Sequence, residues 1–403
     1  MTSTVGALED VNVLDMASGV GGPFCAKLLA SLGASVIKVE QPGVGDSTRR
    51  SPPFVPSDRP LEGRALFHNL NLGKWGITLD VESPAGQELF QRLVTSWANV
   101  VVTGEPYLAL RSRHLDWESL LALNPRLVVV AVSDFGMDGP ARDYAGCELV
   151  SLALGGYLQL TGDPDREPLK PYGHQAEYHA GLHAAAGAVA ALLRTEITGK
   201  GEVVDASVVE AASFLSSAAP GWSYFLGEDT NRVGNRNTSM DPKQMYPSTI
   251  RPCRDGWVHA HASREAEMLE VLVGDPELGR AELRAEPKGH ADEIDAILDR
   301  WLATRDRGAI VEEAQRLRLP FTEVLTPEEV VVDPHLVARG ALIELESPSI
   351  GRASYPHASI RFGASEWITA RAPRLGEHTV EVLGQVLNLT TEEILTLQRS
   401  GVV

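Results

Sequence analysis

Glycines cluster in a short turn near the start of the chain, between a predicted strand at 11–16 and a predicted helix at 24–32. The turn reads Gly19-Val20-Gly21-Gly22-Pro23. Glycines placed ahead of a helix leave backbone N–H groups free to face a phosphate. The dinucleotide fingerprint needs G-x-G-x-x-G, and this turn has no third glycine in that register. The turn therefore predicts a phosphate-bearing ligand other than NAD(P).

A second group of reactive side chains lies further along the chain, where His174, His179 and His183 surround Glu177. In a helix, His179 and His183 share one face because residues four apart are neighbours. A metal site would need that face to be buried together with a carboxylate. Histidines that line a helix interface are the simpler interpretation, and the sequence lacks a C-x-x-C pair. We therefore predict no metal.

Short apolar runs alternate with helical patterns through the first half of the chain. The predicted strands are 11–16, 35–40, 77–80, 99–102, 127–132 and 202–206, and the predicted helices include 84–96 and the alanine-rich 178–194. Strands that alternate with helices form a parallel sheet covered by helices on both faces. We predict an α/β fold with a Rossmann-like parallel sheet.

The composition and net charge indicate which kinds of partner the protein can bind. The 403 residues carry a formal net charge of −18, which disfavours nucleic acid or an anionic membrane as the main partner. An apolar run of the roughly 20 residues that a membrane helix needs is absent from the sequence. The first residues lack the basic and apolar regions of a signal peptide, and three scattered cysteines fit a reducing compartment. We expect a cytoplasmic protein.

Several sequence segments, taken in order, resemble those of one family, the class III CoA-transferases of the CaiB/BaiF type. The matching segments are 13–15, 22–25, 32–40, 42–46, 71–74, 77–80, 123–128, 133–140, 198–205 and 255–258. This resemblance implies a large domain formed by residues 1–222 and 326–403. A smaller α+β domain at residues 223–325 would be inserted between them. The resemblance also implies an interlocked homodimer.

The resemblance implies an enzyme that moves CoA from an acyl-CoA to a carboxylic acid. In this chemistry a carboxylate attacks the thioester, forms a mixed anhydride and then holds CoA as its own thioester. The family places an aspartate just after a loop that ends in Gly-Pro. Glu148 stands there in this chain and is the predicted nucleophile.

Two alternatives stay open at this point. Acyl-CoA racemases of the family resemble the chain at the same segment, but they carry a histidine where Cys147 stands. The chain could also be a non-catalytic subunit that pairs with an active paralogue in a heteromer.

The resemblance also implies which residues bind coenzyme A, the expected acyl carrier. By position these are Gly19, Val20 and Gly21 in the glycine turn, Lys74, Thr103 with Gly104, and Arg111. Lys74 and Arg111 suit phosphate because both form charge-assisted hydrogen bonds.

Overall fold

The computed structural model describes residues 6–55, 61–216, 219–227, 232–236, 246–262 and 266–403. The chain divides into two compact units. Unit 1 comprises the described parts of 1–157, 171–217 and 334–403, and unit 2 comprises those of 158–170 and 218–333. The predicted limits after residues 222 and 325 both fall inside unit 2, and that domain division stays a prediction.

Unit 1 is built on a six-stranded sheet, which confirms the predicted α/β fold. Its strands are β1 (Asn12–Asp15), β2 (Ser35–Glu40), β3 (Trp75–Thr78), β4 (Val100–Thr103), β5 (Val128–Ser133) and β6 (Glu202–Ser207). They lie in the order β3-β2-β1-β4-β5-β6, and every neighbouring pair is parallel. All residues of β4 and β5 are buried, as expected for central strands covered on both faces.

Helices connect the strands of this sheet. They are α1 (Gly21–Ser31), α2 (Ala65–Leu70), α3 (Pro84–Ser96), α4 (Tyr107–Ser112), α5 (Trp117–Leu123), α6 (Glu148–Leu154), α7 (Gln175–Thr198) and α8 (Val208–Leu215), with a 3₁₀ turn at Ser47–Arg50. Helix α3 has the bounds predicted from the sequence: Ser83 caps it by accepting a hydrogen bond from the Gly86 N–H, and a proline occupies its first turn. Gly199 ends α7 in the left-handed conformation, which glycine adopts without a steric penalty.

Unit 2 contains a three-stranded antiparallel sheet and a set of short helices. Its elements are α9 (Ala219–Leu226), β7 (Ser248–Cys253), β8 (Gly256–His261), α10 (Ala266–Val273), α11 (Ala281–Ala285), α12 (Ala291–Leu302), α13 (Arg307–Arg316), β9 (Thr322–Glu323) and α14 (Pro327–Val330), with 3₁₀ turns at Leu158–Leu160 and Pro276–Gly279. Its apolar core includes Val258, Leu298, Ile310 and Phe321, all fully buried.

The C-terminal residues return to unit 1. They form α15 (Pro334–Ala338), the hairpin β10 (Leu342–Ser347) and β11 (Gly351–Pro356), then α16 (Thr379–Leu387) and α17 (Thr391–Arg399). The backbone N–H of Asp80 donates to the Val402 carbonyl at 2.7 Å, and Val382 and Leu383 join the core of the parallel sheet. The tail therefore covers the β3 side of the sheet. Across the described ranges, we find no helix long and apolar enough to span a membrane.

Two helices of unit 1, α1 and α7, approach each other closely. A Cβ atom built on Gly181 of α7 would lie 2.4 Å from the Gly21 carbonyl oxygen and 3.1 Å from the Phe24 ring. A Cβ atom on Gly21 would lie 3.1 Å from the Glu177 carbonyl oxygen. Only glycine allows these backbones to touch, so the pair sets the positions of both helix N-termini.

We expect the Gly181→Ala substitution to push α7 away from α1, because the added methyl group has no space in a close-packed interior. Overpacking of this kind costs about 1–3 kcal/mol, and it should lower the midpoint of thermal unfolding. Gly384→Ala in α16 is the matched control, since its nearest neighbouring atom would lie at 3.8 Å. A Gly181→Ala protein as stable as this control would contradict the close contact.

Candidate active site

The parallel sheet has a crevice where its strand order reverses. Strand β1 lies beside both β2 and β4, so the connections diverge to opposite sides beyond the carboxyl ends of β1 and β4. Open α/β sheets bind ligands at such a point. The segments that follow β1 and β4 meet there, since a Cβ on Gly104 would lie 3.5 Å from Ala17 Cβ and 3.8 Å from the Ser18 carbonyl oxygen.

A cavity of about 270 Å³ opens at this edge of the sheet. Its lining includes Ser18, Lys38, Gln41 and Arg113. Both cations already have carboxylate partners: Lys38 Nζ lies 2.8 Å from Asp46 Oδ2, and Arg113 pairs with Glu105 and with Glu82. The Gly19 N–H lies 3.4 Å from Asp46 Oδ1, a long hydrogen bond that a stronger acceptor could replace.

Lys74, predicted to bind phosphate, lies in the protein interior. Its ammonium group donates at 2.8 Å to Asp15 Oδ2, to the Pro23 carbonyl and to Asn71 Oδ1. These three bonds use all three of its protons. Burial lowers the pKa of Lys74 to about 8, although the Asp15 carboxylate opposes that shift. The structure therefore gives Lys74 a structural role under the glycine turn, and its contact with CoA stays a prediction.

The other predicted binding residues occupy different environments. Thr103 is buried at the end of β4, and its Oγ1 has no hydrogen-bond partner among the described residues. Arg111 is exposed on α4 and pairs with Asp116 at 3.3 Å. Arg113, two residues later, lines the cavity while Arg111 does not. Sequence position alone could not distinguish these two arginines.

Glu148, the predicted nucleophile, is the first residue of α6 and is 5 % exposed. Its Oε1 accepts a hydrogen bond from the Ala176 N–H at 3.0 Å, and its Oε2 accepts one from the Glu177 N–H at 3.1 Å. These donors are first-turn amides of α7, which have no partner within the helix. The N-terminus of a helix favours a negative charge, so this carboxylate is firmly held.

A second carboxylate lies at the same place. Glu177 belongs to the first turn of α7, and its Oε2 lies 2.5 Å from His174 Nδ1. The side chain of Glu177 is 20 % exposed, so a ligand can reach it more easily than it can reach Glu148. One oxygen or nitrogen atom from each of Glu148, His174 and Glu177 lies within 4.8 Å of the others. The site thus combines two carboxylates and one imidazole.

The surroundings of Glu177 change its acidity. Burial raises the pKa of Glu177 most, the neighbouring His174 lowers it, and the negative charges of Glu148 and Asp134 raise it further. Asp134 follows β5, and its own pKa is raised by burial. A carboxylate with a raised pKa is more basic, and is a stronger nucleophile once it has lost its proton.

The two other histidines remain outside this cluster. His179 Nδ1 bonds to the Gln175 carbonyl of its own helix at 2.8 Å, and the ring of His183 packs edge-on against Phe214. Cys147 precedes Glu148 and is exposed. The histidine that completes the site is therefore His174, which stands three residues before Glu177 at the start of α7.

Comparison with known proteins identifies the family. A model described as CoA-transferase family III matches residues 8–379. The chain belongs to this family. It is 33 % identical to the succinyl-CoA–D-citramalate CoA-transferase of Chloroflexus aurantiacus, over 98 % of both chains. It is 30 % identical to a formyl-CoA:oxalate CoA-transferase of Rhodopseudomonas palustris, over 98 % of this chain and 96 % of the other.

A solved structure agrees with this assignment. The CaiB/BaiF family protein from Brucella suis superimposes with a TM-score of 0.85 and 28 % identity, covering 95 % of this chain and all of the other. Family membership and the relatives over nearly the full length make the chain a class III CoA-transferase. The resemblance found in the sequence is therefore confirmed.

We expect Asp134→Asn to move the acid limb of the pH–rate profile for CoA transfer to lower pH. Removing that negative charge lowers the pKa of Glu177, so the ionised carboxylate persists to lower pH. If the reaction needs Glu177 ionised, the acid limb of kcat/KM, measured between pH 4 and 8, reports its pKa in the free enzyme. Asp138→Asn, an exposed residue of the same loop, is the control. An unchanged or upward-shifted limb in Asp134→Asn would show that the acid limb does not report the ionisation of Glu177.

Proposed function

We propose that this CoA-transferase moves CoA between an acyl-CoA and a free carboxylic acid through a covalent glutamyl intermediate. The observation that carries this proposal is the pair of carboxylates, Glu148 and Glu177, at the N-terminus of α7. Relatives are named for D-citramalate, oxalate or glutarate with succinate, all carboxylic acids, and this supports an acid as the acceptor.

The geometry favours Glu177 over Glu148 for the attack on the thioester. Both oxygens of Glu148 accept backbone hydrogen bonds, and its side chain is almost fully buried. A nucleophile must approach the thioester carbon to about 3–3.5 Å with a free lone pair. Glu177 is partly exposed and retains one oxygen, Oε1, that His174 does not hold. The sequence-based prediction of Glu148 remains, and the experiment below tests both residues.

In this scheme Glu148 is a positioning residue. Its carboxylate joins α6 to the first turn of α7 by accepting the N–H groups of Ala176 and Glu177. These charge-assisted hydrogen bonds are stronger than neutral ones, so they fix the backbone from which the Glu177 side chain projects.

The crevice beside the glycine turn is the proposed place for the CoA nucleotide. Gly21 lies against the backbone of Glu177. A CoA molecule bound along the glycine turn would therefore extend from the cavity to the two carboxylates. Arg113 is the cation best placed for a phosphate, because its partners Glu82 and Glu105 have side chains that are 64 % and 36 % exposed. Exposed carboxylates can turn away into water when a phosphate arrives.

Each half of the proposed transfer consists of two exchanges at carbonyl carbons, and neither of them takes up or releases a proton. Glu177 Oε1 forms a bond to the acyl carbon, and the carbon–sulfur bond breaks to release CoA thiolate. The thiolate attacks Cδ of the glutamyl anhydride and expels the acyl group as a carboxylate. The acceptor acid repeats the two steps in reverse and leaves as the new acyl-CoA.

Apolar side chains exposed on α7 support the predicted homodimer. Leu182, Val189, Leu193 and Ile197 repeat along one stripe of the helix, and the last two are 64 % and 77 % exposed. Phe214 on the adjacent α8 is 73 % exposed. Apolar surface of this extent is typical of a protein interface, and we propose that a second copy of the chain covers it.

One relative favours a heteromer as the alternative assembly. The succinyl-CoA–L-malate CoA-transferase beta subunit of Chloroflexus aurantiacus is 29 % identical over 100 % of this chain and 99 % of its own. That name describes one subunit of a larger enzyme. A chain that needs a paralogue would be inactive when purified alone.

Covalent labelling tests the nucleophile. The enzyme is incubated with succinyl-CoA or formyl-CoA, trapped with hydroxylamine or borohydride, and mapped by peptide mass spectrometry. We expect the label on Glu177, and we expect Glu177→Gln to lower kcat by about 10³-fold or more, since the bond-forming atom is lost. Glu148→Gln should reduce kcat less, by about 10–100-fold, while the label stays on Glu177. A label on Glu148 would support the sequence-based prediction instead. Turnover with neither residue labelled would overturn the covalent route.

Light scattering tests the assembly. The chain expressed alone should have the mass of two copies and should be active. Ile197→Glu places a charge in the apolar stripe and should shift the mass towards one copy. Leu395→Glu on α17, where the leucine is 45 % exposed, is the control and should remain dimeric. An inactive chain that gains activity only with a paralogue would favour the heteromer.

A further inference from the structure

We propose that His174 stabilises the oxyanion that forms on the Glu177 side chain when CoA thiolate attacks the enzyme-bound anhydride. This inference rests on the proposed role of Glu177 as the nucleophile. It assigns a catalytic role to His174, which the sequence placed near Glu177 together with His179 and His183 but to which it gave no role in catalysis.

The position of His174 relative to Glu177 is well defined. His174 is the residue before the first turn of α7, and its Nδ1 lies 2.5 Å from Glu177 Oε2. An ionised carboxylate can only accept hydrogen bonds, so the Nδ1–H of the imidazole is the donor. In the part of the chain that the structure describes, His174 is the hydrogen-bond partner of the Glu177 carboxylate.

The hydrogen bond makes the two oxygens of Glu177 different. Oε2 is held by His174, while Oε1 is available to attack the acyl carbon. After the attack, Oε1 becomes the bridging oxygen of the anhydride and Oε2 becomes its carbonyl oxygen. The Nδ1–H group of His174, which first bound a carboxylate oxygen, then faces the carbonyl oxygen Oε2 on Cδ, the carbon that CoA thiolate attacks.

The second step places a negative charge on that oxygen. CoA thiolate donates an electron pair to Cδ of Glu177, and the carbonyl pair moves onto Oε2. When the tetrahedral species collapses, the bond from Cδ to Oε1 breaks, and the acyl group leaves with Oε1 and the electron pair as a free carboxylate. The glutamyl thioester retains Oε2 as its carbonyl oxygen. His174 keeps its proton throughout and acts through its N–H dipole, as the donors of an oxyanion hole do.

The nearby backbone donors cannot take over this role. The N–H groups of Ala176 and Glu177 point to Glu148, at 3.0 and 3.1 Å. The His174 imidazole is therefore the hydrogen-bond donor for the Glu177 side chain, while the two amides are the donors for Glu148. The tetrahedral species on the substrate's acyl carbon has its oxyanion on a different atom, which His174 does not contact.

This difference separates the two halves of the reaction. Loss of the donor should slow conversion of anhydride to glutamyl–CoA thioester by about 10²–10³-fold, the usual effect of removing one oxyanion donor. Formation of the anhydride should change much less. A merely structural defect would slow both steps equally.

The experiment uses rapid quenching of the full-length enzyme with succinyl-CoA carrying separate labels on the acyl group and on CoA. The ratio of acyl label to CoA label on Glu177 measures the two intermediates. We expect His174→Ala to accumulate the acyl-labelled anhydride. We expect His174→Asn to retain most of the thioester, because the asparagine N–H can occupy the place of Nδ1–H. His179→Ala is the control, since that imidazole bonds only to its own helix, and its ratio should match the wild type.

The possible failures are distinguishable. If the wild-type enzyme turns over without any label on Glu177, the proposed nucleophile is wrong and this inference falls with it. If Glu177 is labelled but His174→Ala has the wild-type ratio, or slows both steps equally, the role of His174 alone is overturned.

Discussion

The site depends on one steric constraint, the contact between the backbones of α1 and α7 at Gly21 and Gly181. Side chains at these positions would collide with main-chain atoms, and a main-chain atom cannot move aside as a flexible side chain does. The contact brings the N-terminus of α1, with its glycine turn, next to the N-terminus of α7, with its carboxylates. The glycine turn and the carboxylate Glu177, which are more than 150 residues apart in the sequence, thereby share one edge of the sheet.

The two glutamates at that edge, Glu148 and Glu177, have different electrostatic surroundings. Glu148 accepts hydrogen bonds from two backbone N–H groups at the end of a long helix, which suits a side chain that anchors the backbone. Burial raises the pKa of Glu177, and the two neighbouring acidic groups raise it further. Two glutamates with different environments can therefore act as a positioning group and a reacting group.

A buried ionic network supports the crevice from below. Asp15 at the end of β1 accepts a hydrogen bond from Lys74 and lies 3.6 Å from Lys38, which also pairs with Asp46. Beside it, Arg49 is fully buried between Glu40 and Glu62. Removing such charges from water costs about as much as their attraction returns. Their contribution is therefore geometric, because they hold the ends of β1 and β2 and the loop after β2 in one arrangement.

The parallel sheet, the glycine turn and the family could all be predicted from the sequence alone. Val128 to Ser133 is a strand because a run of β-branched residues between turn residues suits a buried parallel strand, and α7 contains the alanine-rich helix predicted at 178–194. These features depend on neighbouring residues. Three features became visible only once the chain had folded: the pairing of Glu148 with the amides of Ala176 and Glu177, the accessibility of Glu177, and the position of Arg113 at the cavity that Arg111 does not line. Each of these depends on the direction in which a side chain projects after distant segments have packed, and a local sequence pattern carries no information about that direction.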